Sequence, residues 1–353
     1  MKTLYVVSDD EFGGKTSLSV GLGKYLQQQG YAVGYIKPFG SYVQVDERTA
    51  GRDAEFVRQE LELPESLADL IPVVLTPGQF QEAVAHADLG AFEARFTAAL
   101  QRVQAGKDIL LVEGGRWPLE GISFNLSSCQ LAERINAAVL GVVKYENSMS
   151  LDAALGLRKL YGERLLGVVL NAVHRQYMRF VQETARPFLE ANGLPVFAVL
   201  PQERMLLAIS VQELVDHLKG QIVCCPDKTD ALVEYLMIGA MTADHAISYF
   251  RNRPNKAVIT GGDRHDLQLI ALETSTRCLI LTGNQQPGEV VIARAQEVNV
   301  PLIVVEPDTL TTVQTIEQIW GRTSLHEPAK LARIMTILQE RFDLARFCDM
   351  MGL

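Results

Sequence analysis

Apolar runs of strand length alternate with segments of helical period along the whole chain, and this alternation limits the fold more than any other feature. Runs at 3–8, 32–37, 108–113, 138–144, 165–171 and 195–200 read as strands, and 15–28, 53–61, 91–105, 151–161 and 176–191 as the helices between them. Strands this apolar are buried on both faces, which demands a mostly parallel sheet covered by helices on both sides. The fold class expected is therefore α/β, with a first domain at 1–205. A second, smaller α/β pattern follows at 206–325, with strands at 257–260, 278–282 and 302–305 and helices at 210–219, 266–274, 289–298 and 310–319. An amphipathic tail at 326–353 closes the chain. Its apolar face, Leu331, Ile334, Leu338 and Phe342, is expected to dock on the second domain or on a neighbouring copy.

Composition narrows the function classes. At 353 residues the chain is long enough for two or three domains. Lys plus Arg number 33 against 42 Asp plus Glu, a net charge of −9, which argues against a general nucleic-acid or anionic-membrane surface. Five cysteines without CxxC spacing read as reduced thiols and form no zinc pattern. The N-terminal apolar segment is too short for a signal peptide, and no stretch has the apolar length of a membrane span, so a cytoplasmic protein with no nucleic-acid or membrane partner is expected.

The chemistry gathers after the first strand. Residues 3–8 lead into Asp9-Asp10-Glu11-Phe12-Gly13-Gly14-Lys15-Thr16-Ser17 and then a helix, the strand–loop–helix setting of a phosphate-binding loop. Gly14 lets backbone N–H groups turn onto phosphate oxygens, Lys15 neutralises the outer phosphates, and the Thr16 hydroxyl can hold Mg²⁺ at the helix N-terminus. The glycine that usually opens such a loop is replaced by Ser8 or Asp9, and the loop carries three carboxylates. The same Gly-Gly-Lys-Thr turn is also consistent with a plain helix start. Glu113 ends the apolar strand 108–113, and in an open α/β sheet it shares the crevice beyond the carboxyl ends of the strands with Thr16. Asp53 offers a further oxygen ligand for Mg²⁺, although on its own it reads equally well as a helix cap. Lys37 ends the second strand and reaches the same crevice, or is simply a surface lysine. Asn171, at the end of its strand, has an amide edge that suits a purine, or else forms a turn.

In order and spacing, Gly14-Lys15-Thr16, Lys37-Pro38 with Ser41, Asp53, Val112-Glu113-Gly114-Gly115 and Asn171 resemble dethiobiotin synthetase. The resemblance implies a P-loop NTPase-like fold that takes Mg²⁺ and ATP (or ADP). Gly13, Gly14, Lys15, Thr16 and Ser17 line the nucleotide, with Asn171 on adenine. Thr16, Asp53 and Glu113 surround the metal. Lys15 and Lys37 are the catalytic candidates, and Lys37 with Ser41 faces the acceptor substrate. Arg116-Trp117-Pro118 departs from the more glycine-rich stretch of that family.

The second domain resembles the DRTGG domain through 258–266, 279–283 and 301–305, with the literal motif present as Gly261-Gly262-Asp263-Arg264. These four residues are its candidate ligand site: the glycines free N–H groups for an anion and Arg264 adds a positive fork, or the segment is a tight turn capped by Asp263. A dethiobiotin-synthetase-like domain followed by this one is similar to the N-terminal, non-catalytic region of long phosphotransacetylases. The leading expectation is an Mg-nucleotide-binding protein that is regulatory or senses a small molecule and transfers no acetyl group. The alternatives are an ATP-dependent ligase or cyclase of the dethiobiotin synthetase or cobyrinic acid a,c-diamide synthase type, and an oligomeric scaffold with a decayed nucleotide site. The apolar tail suggests a homodimer or a dimer of dimers.

Overall fold

The protein is described here by a computed structural model covering residues 1–41, 49–86, 90–320 and 327–353. It divides into one unit of Met1–Gln202 with Leu325–Leu353 and a second of Glu203–Ser324. The first unit runs β1 (Lys2–Ser8), α1 (Lys15–Gln28), β2 (Val33–Ile36), β3 (Phe39–Ser41), α2 (Thr49–Glu60), α3 (Leu67–Leu70), β4 (Val73–Leu75), α4 (Pro77–His86) and α5 (Gly90–Val103). It continues through β5 (Ile109–Glu113), α6 (Ser128–Arg134), β6 (Ala138–Lys144), α7 (Ser150–Tyr161), β7 (Leu165–Val173), α8 (Met178–Phe180), α9 (Arg186–Ala191) and β8 (Val196–Pro201).

Six of these strands form one sheet in the order β2-β5-β1-β6-β7-β8, and every pairing in it is parallel. Leu4, Val6, Leu111, Val139, Leu140 and Val169 are all fully buried, as an apolar strand covered on both faces requires. The chain steps from β1 to β2 on one side and later to β6 on the other. The crevice beyond the carboxyl end of β1 is therefore where a ligand fits such a sheet. The small parallel pair β3–β4 is not foreshadowed in the sequence, because three-residue strands carry no readable periodicity. Helix α2 begins at Thr49, which puts Asp53 on its second turn and not at its cap. The polar stretch 42–48 ahead of it lies outside the described residues.

The second unit contains α10 (Arg204–Leu207), β9 (Ile209–Ser210), α11 (Val211–Leu218), β10 (Gln221–Cys224), β11 (Leu232–Val233), β12 (Tyr235–Ile238), α12 (Ala243–Arg251), β13 (Lys256–Gly261), α13 (His265–Leu272), β14 (Thr276–Thr282), α14 (Glu289–Glu297), β15 (Leu302–Val304) and α15 (Thr309–Ile319). Its five-stranded sheet is ordered β10-β15-β14-β13-β12, parallel except for the antiparallel edge β10. Successive residues feed opposite cores. Val258, Leu279 and Leu281 pack on one face, while Ala257, Ile259, Cys278 and Ile280 pack on the other. The three expected strands are the central ones. The edges β10 and β12 are added, short and only partly buried, so their apolar signal is weak.

The closing helices α16 (Pro328–Arg341) and α17 (Leu344–Met351) return to the first unit. This corrects the expectation that the tail docks on the second domain or on another copy. Leu331, Ile334, Ile337, Leu338, Phe342, Phe347 and Met351 are buried. Phe197 of β8 stacks on Phe342 at 5.8 Å and meets the edge of Phe347 at 5.7 Å, while the Asp343 N–H donates to the Phe197 carbonyl at 2.8 Å. On α1, a side-chain carbon at Gly21 would collide with Leu338 and lie 3.3 Å from Ile334. Only glycine lets α16 pack this close. The face on which self-association was expected is therefore used within the first unit.

Candidate functional site

The loop after β1 organises itself. The Asp10 carboxylate accepts the Phe12 N–H at 2.7 Å, the Ser8 hydroxyl accepts the Asp10 N–H at 3.2 Å, and the Gly13 N–H donates to the Asp10 carbonyl at 3.3 Å. Gly14 sits at φ 98°, left-handed, and a Cβ there would strike the Asn171 amide. Helix α1 then starts at Lys15 with no side-chain cap and no acidic residue in its first turn, which includes Thr16 and Ser17. Its first N–H groups and the positive end of its dipole are thus free of any capping side chain, the condition for anion binding.

Lys15 is buried, and its ammonium donates to the carbonyls of Asp10 at 2.9 Å and Glu11 at 3.2 Å. Desolvation pushes its pKa down to about 8, against the pull of Glu113, with Lys37 adding to the depression. Asp9 is shifted the other way. Burial raises it above the usual carboxylate range, Asp10 adds to the rise, and its buried Oδ1 has no partner among the described residues.

Glu113, at the carboxyl end of β5, is fully buried. Its Oε1 accepts the Thr16 hydroxyl at 2.9 Å and the Lys37 ammonium at 3.0 Å, and its Oε2 accepts the Tyr35 hydroxyl at 3.0 Å. Adjacent β1, β5 and β2 deliver these groups to one point, since Tyr35 and Lys37 stand at and just beyond the end of β2. Tyr35 was not anticipated. In a strand as apolar as β2 its ring reads as core, and only its spacing of two from Lys37 hints at a shared face. Burial and the neighbouring carboxylate hold its phenol well above its ordinary pKa. Asp53 lies close enough to act electrostatically on both Tyr35 and Lys37. Ser41 is the last residue of β3, opposite Leu75.

Asn171 is aimed by a backbone irregularity. The β7–β8 register shifts between Leu170 and Val173, and Ala172 takes φ 54°, a left-handed conformation uncommon for a residue other than glycine or asparagine. The Asn171 amide then donates to the Gly13 carbonyl at 2.8 Å, which braces the loop. Beyond β5, the Glu120 carboxylate accepts the Arg116 backbone N–H at 2.6 Å and its Nε at 2.8 Å. Arg116 and Trp117 thereby form one wall of an open cleft whose other wall is Asp9, Asp10, Glu11 and Phe12.

The donor set suits Mg²⁺. Among the described residues no three His, Cys, Asp or Glu side chains cluster as a self-sufficient metal cage. A hydroxyl and a carboxylate oxygen 2.9 Å apart are close to the spacing of about 3.0 Å between adjacent ligands of an octahedron with bonds of about 2.1 Å. Phosphate and water oxygens would have to complete such a shell.

In the second unit, Gly261 ends β13, and the Gly262 N–H donates to the Thr282 carbonyl at 3.2 Å. Arg264 is not a free fork: it pairs with Asp266 at 3.1 Å and donates to the Met241 carbonyl at 3.0 Å. Asp263 does not cap α13, whose cap position is Arg264 with no side-chain hydrogen bond. The fully buried Gln268, invisible as a functional signal inside an ordinary helix, donates its amide to the carbonyls of Gly261 and Gly262 at 3.0 Å each.

Known proteins align with this arrangement. A phosphate acetyltransferase of Deinococcus radiodurans is 22% identical over 364 residues, covering 97% of this chain and 50% of that protein, and one of Nitratidesulfovibrio vulgaris is 21% identical over 96% and 50%. The chain thus spans about half the length of these curated relatives. The ATP-dependent dethiobiotin synthetase of Methanococcus vannielii is 25% identical over 207 residues, covering 57% of this chain and 94% of that protein. Among solved structures, the CBS and DRTGG region of a Clostridium perfringens pyrophosphatase matches 39% of this chain at 18% identity, with a TM-score of 0.30. A DRTGG domain profile matches residues 213–319. With an AAA domain profile matching residues 2–210, well over half of its length, the chain belongs to the AAA domain family, in its dethiobiotin-synthetase-like form joined to a DRTGG domain.

Proposed function

We propose that the first unit binds ATP or ADP with Mg²⁺ and that the chain is a regulatory or ligand-sensing protein without acetyltransferase activity. The observation that carries this reading is the convergence of Thr16, Lys37 and Tyr35 on the buried Glu113 carboxylate beside an uncapped helix N-terminus. Lys15 places a positive charge at the outer phosphates, and the N–H groups of Gly14 to Ser17 face the inner ones. Asn171 braces the loop by donating to the Gly13 carbonyl. Thr16 and Glu113, with Asp53 near, would hold Mg²⁺, which when bound neutralises phosphate oxygens. Gly261, Gly262, Asp263 and Arg264 form the turn through which the second unit would respond to a small molecule.

A second reading is an ATP-dependent ligase of the dethiobiotin synthetase type. It is favoured by Lys37, which stands in the same crevice and could orient an anionic acceptor from the far side of the phosphates. Calorimetry with ATP, ADP and GTP, with and without Mg²⁺, tests the binding reading. No binding of any nucleotide would leave the scaffold with a decayed site. Phosphate release against a panel of carboxylates and diamines separates the ligase from the sensor. An assay of acetyl transfer from acetyl phosphate to coenzyme A is expected to give none.

A further inference from the structure

We infer that the Lys37 ammonium is a resident cation on Glu113, which a divalent metal must displace, so that metal entry and release of Lys37 are one exchange. This rests on reading the crevice as a metal–nucleotide site. The carboxylate is inaccessible to water, and a buried carboxylate needs a positive partner. Two groups share its Oε1: the Thr16 hydroxyl at 2.9 Å and the Lys37 ammonium at 3.0 Å. Oε1 is the oxygen beside Thr16 and so the one that would face a metal held with Thr16, while Oε2 takes the Tyr35 hydroxyl. A divalent ion and an ammonium cannot both sit on that oxygen without strong like-charge repulsion.

The displaced lysine has somewhere to go. Its side chain is 18% exposed, while that of Glu113 is 1% exposed, so the ammonium can swing toward the open crevice while the carboxylate stays fixed by Tyr35. Asp53 and Glu120 both act on Lys37 electrostatically and would favour its staying charged. In the crevice it can meet a phosphate or carboxylate of a bound ligand. Lys37 would therefore be presented only once the metal has arrived, which sets an order of assembly.

The experiment uses the full chain and Mn²⁺ as a paramagnetic probe, with direct binding read by electron paramagnetic resonance in the absence of nucleotide. Calorimetry of ADP with Mg²⁺ runs in parallel. Lys37→Met is expected to bind Mn²⁺ about tenfold more tightly than wild type, because the competing charge is gone, while Lys37→Arg stays close to wild type and Glu113→Gln loses the site. If Lys37→Met does not fold without metal, Lys37→Gln carries the same measurement, with a larger rise in melting temperature on adding Mn²⁺ than wild type shows. Equal or weaker Mn²⁺ binding in both neutral variants, with Mg²⁺-dependent ADP binding intact, overturns the exchange and leaves the nucleotide reading standing. Absence of both Mn²⁺ and Mg²⁺-dependent ADP binding in wild type overturns that reading and the exchange with it.

Discussion

In two lysines burial lowers the pKa toward the physiological range, and each gives a titration to measure. Lys15, lowered to about pKa 8 by burial, is only partly protonated above that pH. A bound polyphosphate favours the charged form, so nucleotide affinity is expected to fall as pH rises through 8, with proton uptake on binding at pH 8.5. Calorimetry in buffers of different ionisation enthalpy checks this. Lys15→Ala is expected to weaken binding by about 1.5–3 kcal/mol, the range for a hydrogen bond to a charged group, and to abolish the proton uptake. In the second unit, the fully buried Lys256, which donates to the Ser275 carbonyl at 3.0 Å, is lowered to about pKa 8 by desolvation. Between its folded pKa and the unfolded 10.5 the unfolded chain binds the extra proton, so stability rises with pH across roughly 8 to 10.5. Lys256→Met should raise the melting temperature at pH 7, by about 1–2 kcal/mol of stability, and flatten that rise. Thermal unfolding of both proteins from pH 7 to 10 is the measurement. Lys15 was legible because glycine, lysine and threonine in a strand–loop–helix setting each have a chemical reason to be there. Lys256 was not, since a lysine opening an apolar run looks like a solvated end.

At the scale of elements, the interrupted β7 shows how backbone geometry reaches the site. The left-handed Ala172 turns the strand so that Asn171 crosses to the loop, at a conformational cost of about 1–2 kcal/mol for an L-residue. Ala172→Gly should therefore be neutral or stabilising. Ala172→Val, with its branched carbon, should cost about 1–3 kcal/mol and weaken nucleotide binding by loosening the brace. Urea unfolding and nucleotide affinity of the two variants separate these outcomes. Nothing in an alanine announces a positive φ, which is why Asn171 could be named from the sequence but not what it holds. The same limit applies to Gln268, whose role depends on a turn of the chain beneath it. Long central strands such as β1, β5 and β14 were legible because both faces are apolar. The short β3, β4, β10 and β12 owe their pairing to neighbours distant in sequence, which periodicity does not record.

At the scale of the whole molecule, the second unit is an insertion: the first unit leaves at Gln202 and resumes at Leu325. The amphipathic pattern of the last helices was plain, but an apolar stripe does not say which surface it covers. Its partner is α1, the helix that carries Lys15 and Thr16, together with β8. Magnitude decides what their removal does. Burying an apolar side chain is worth about 1.5–3 kcal/mol, so the seven buried between Leu331 and Met351 contribute on the order of 10 kcal/mol, as much as the whole stability of a typical domain. Deleting 327–353 is therefore expected to unfold the first unit and not to trim it, while Phe347→Ala should cost about 3–5 kcal/mol and leave a folded, less stable protein. Replacing 203–324 by a short flexible linker should have the opposite result, a first unit that folds and keeps its nucleotide affinity. Calorimetric unfolding of the intact chain, the deletion and the linker variant tests this. If the deletion retained the first unit's melting transition, the closing helices would be an appendage, and the architecture would have to be redrawn as two consecutive domains.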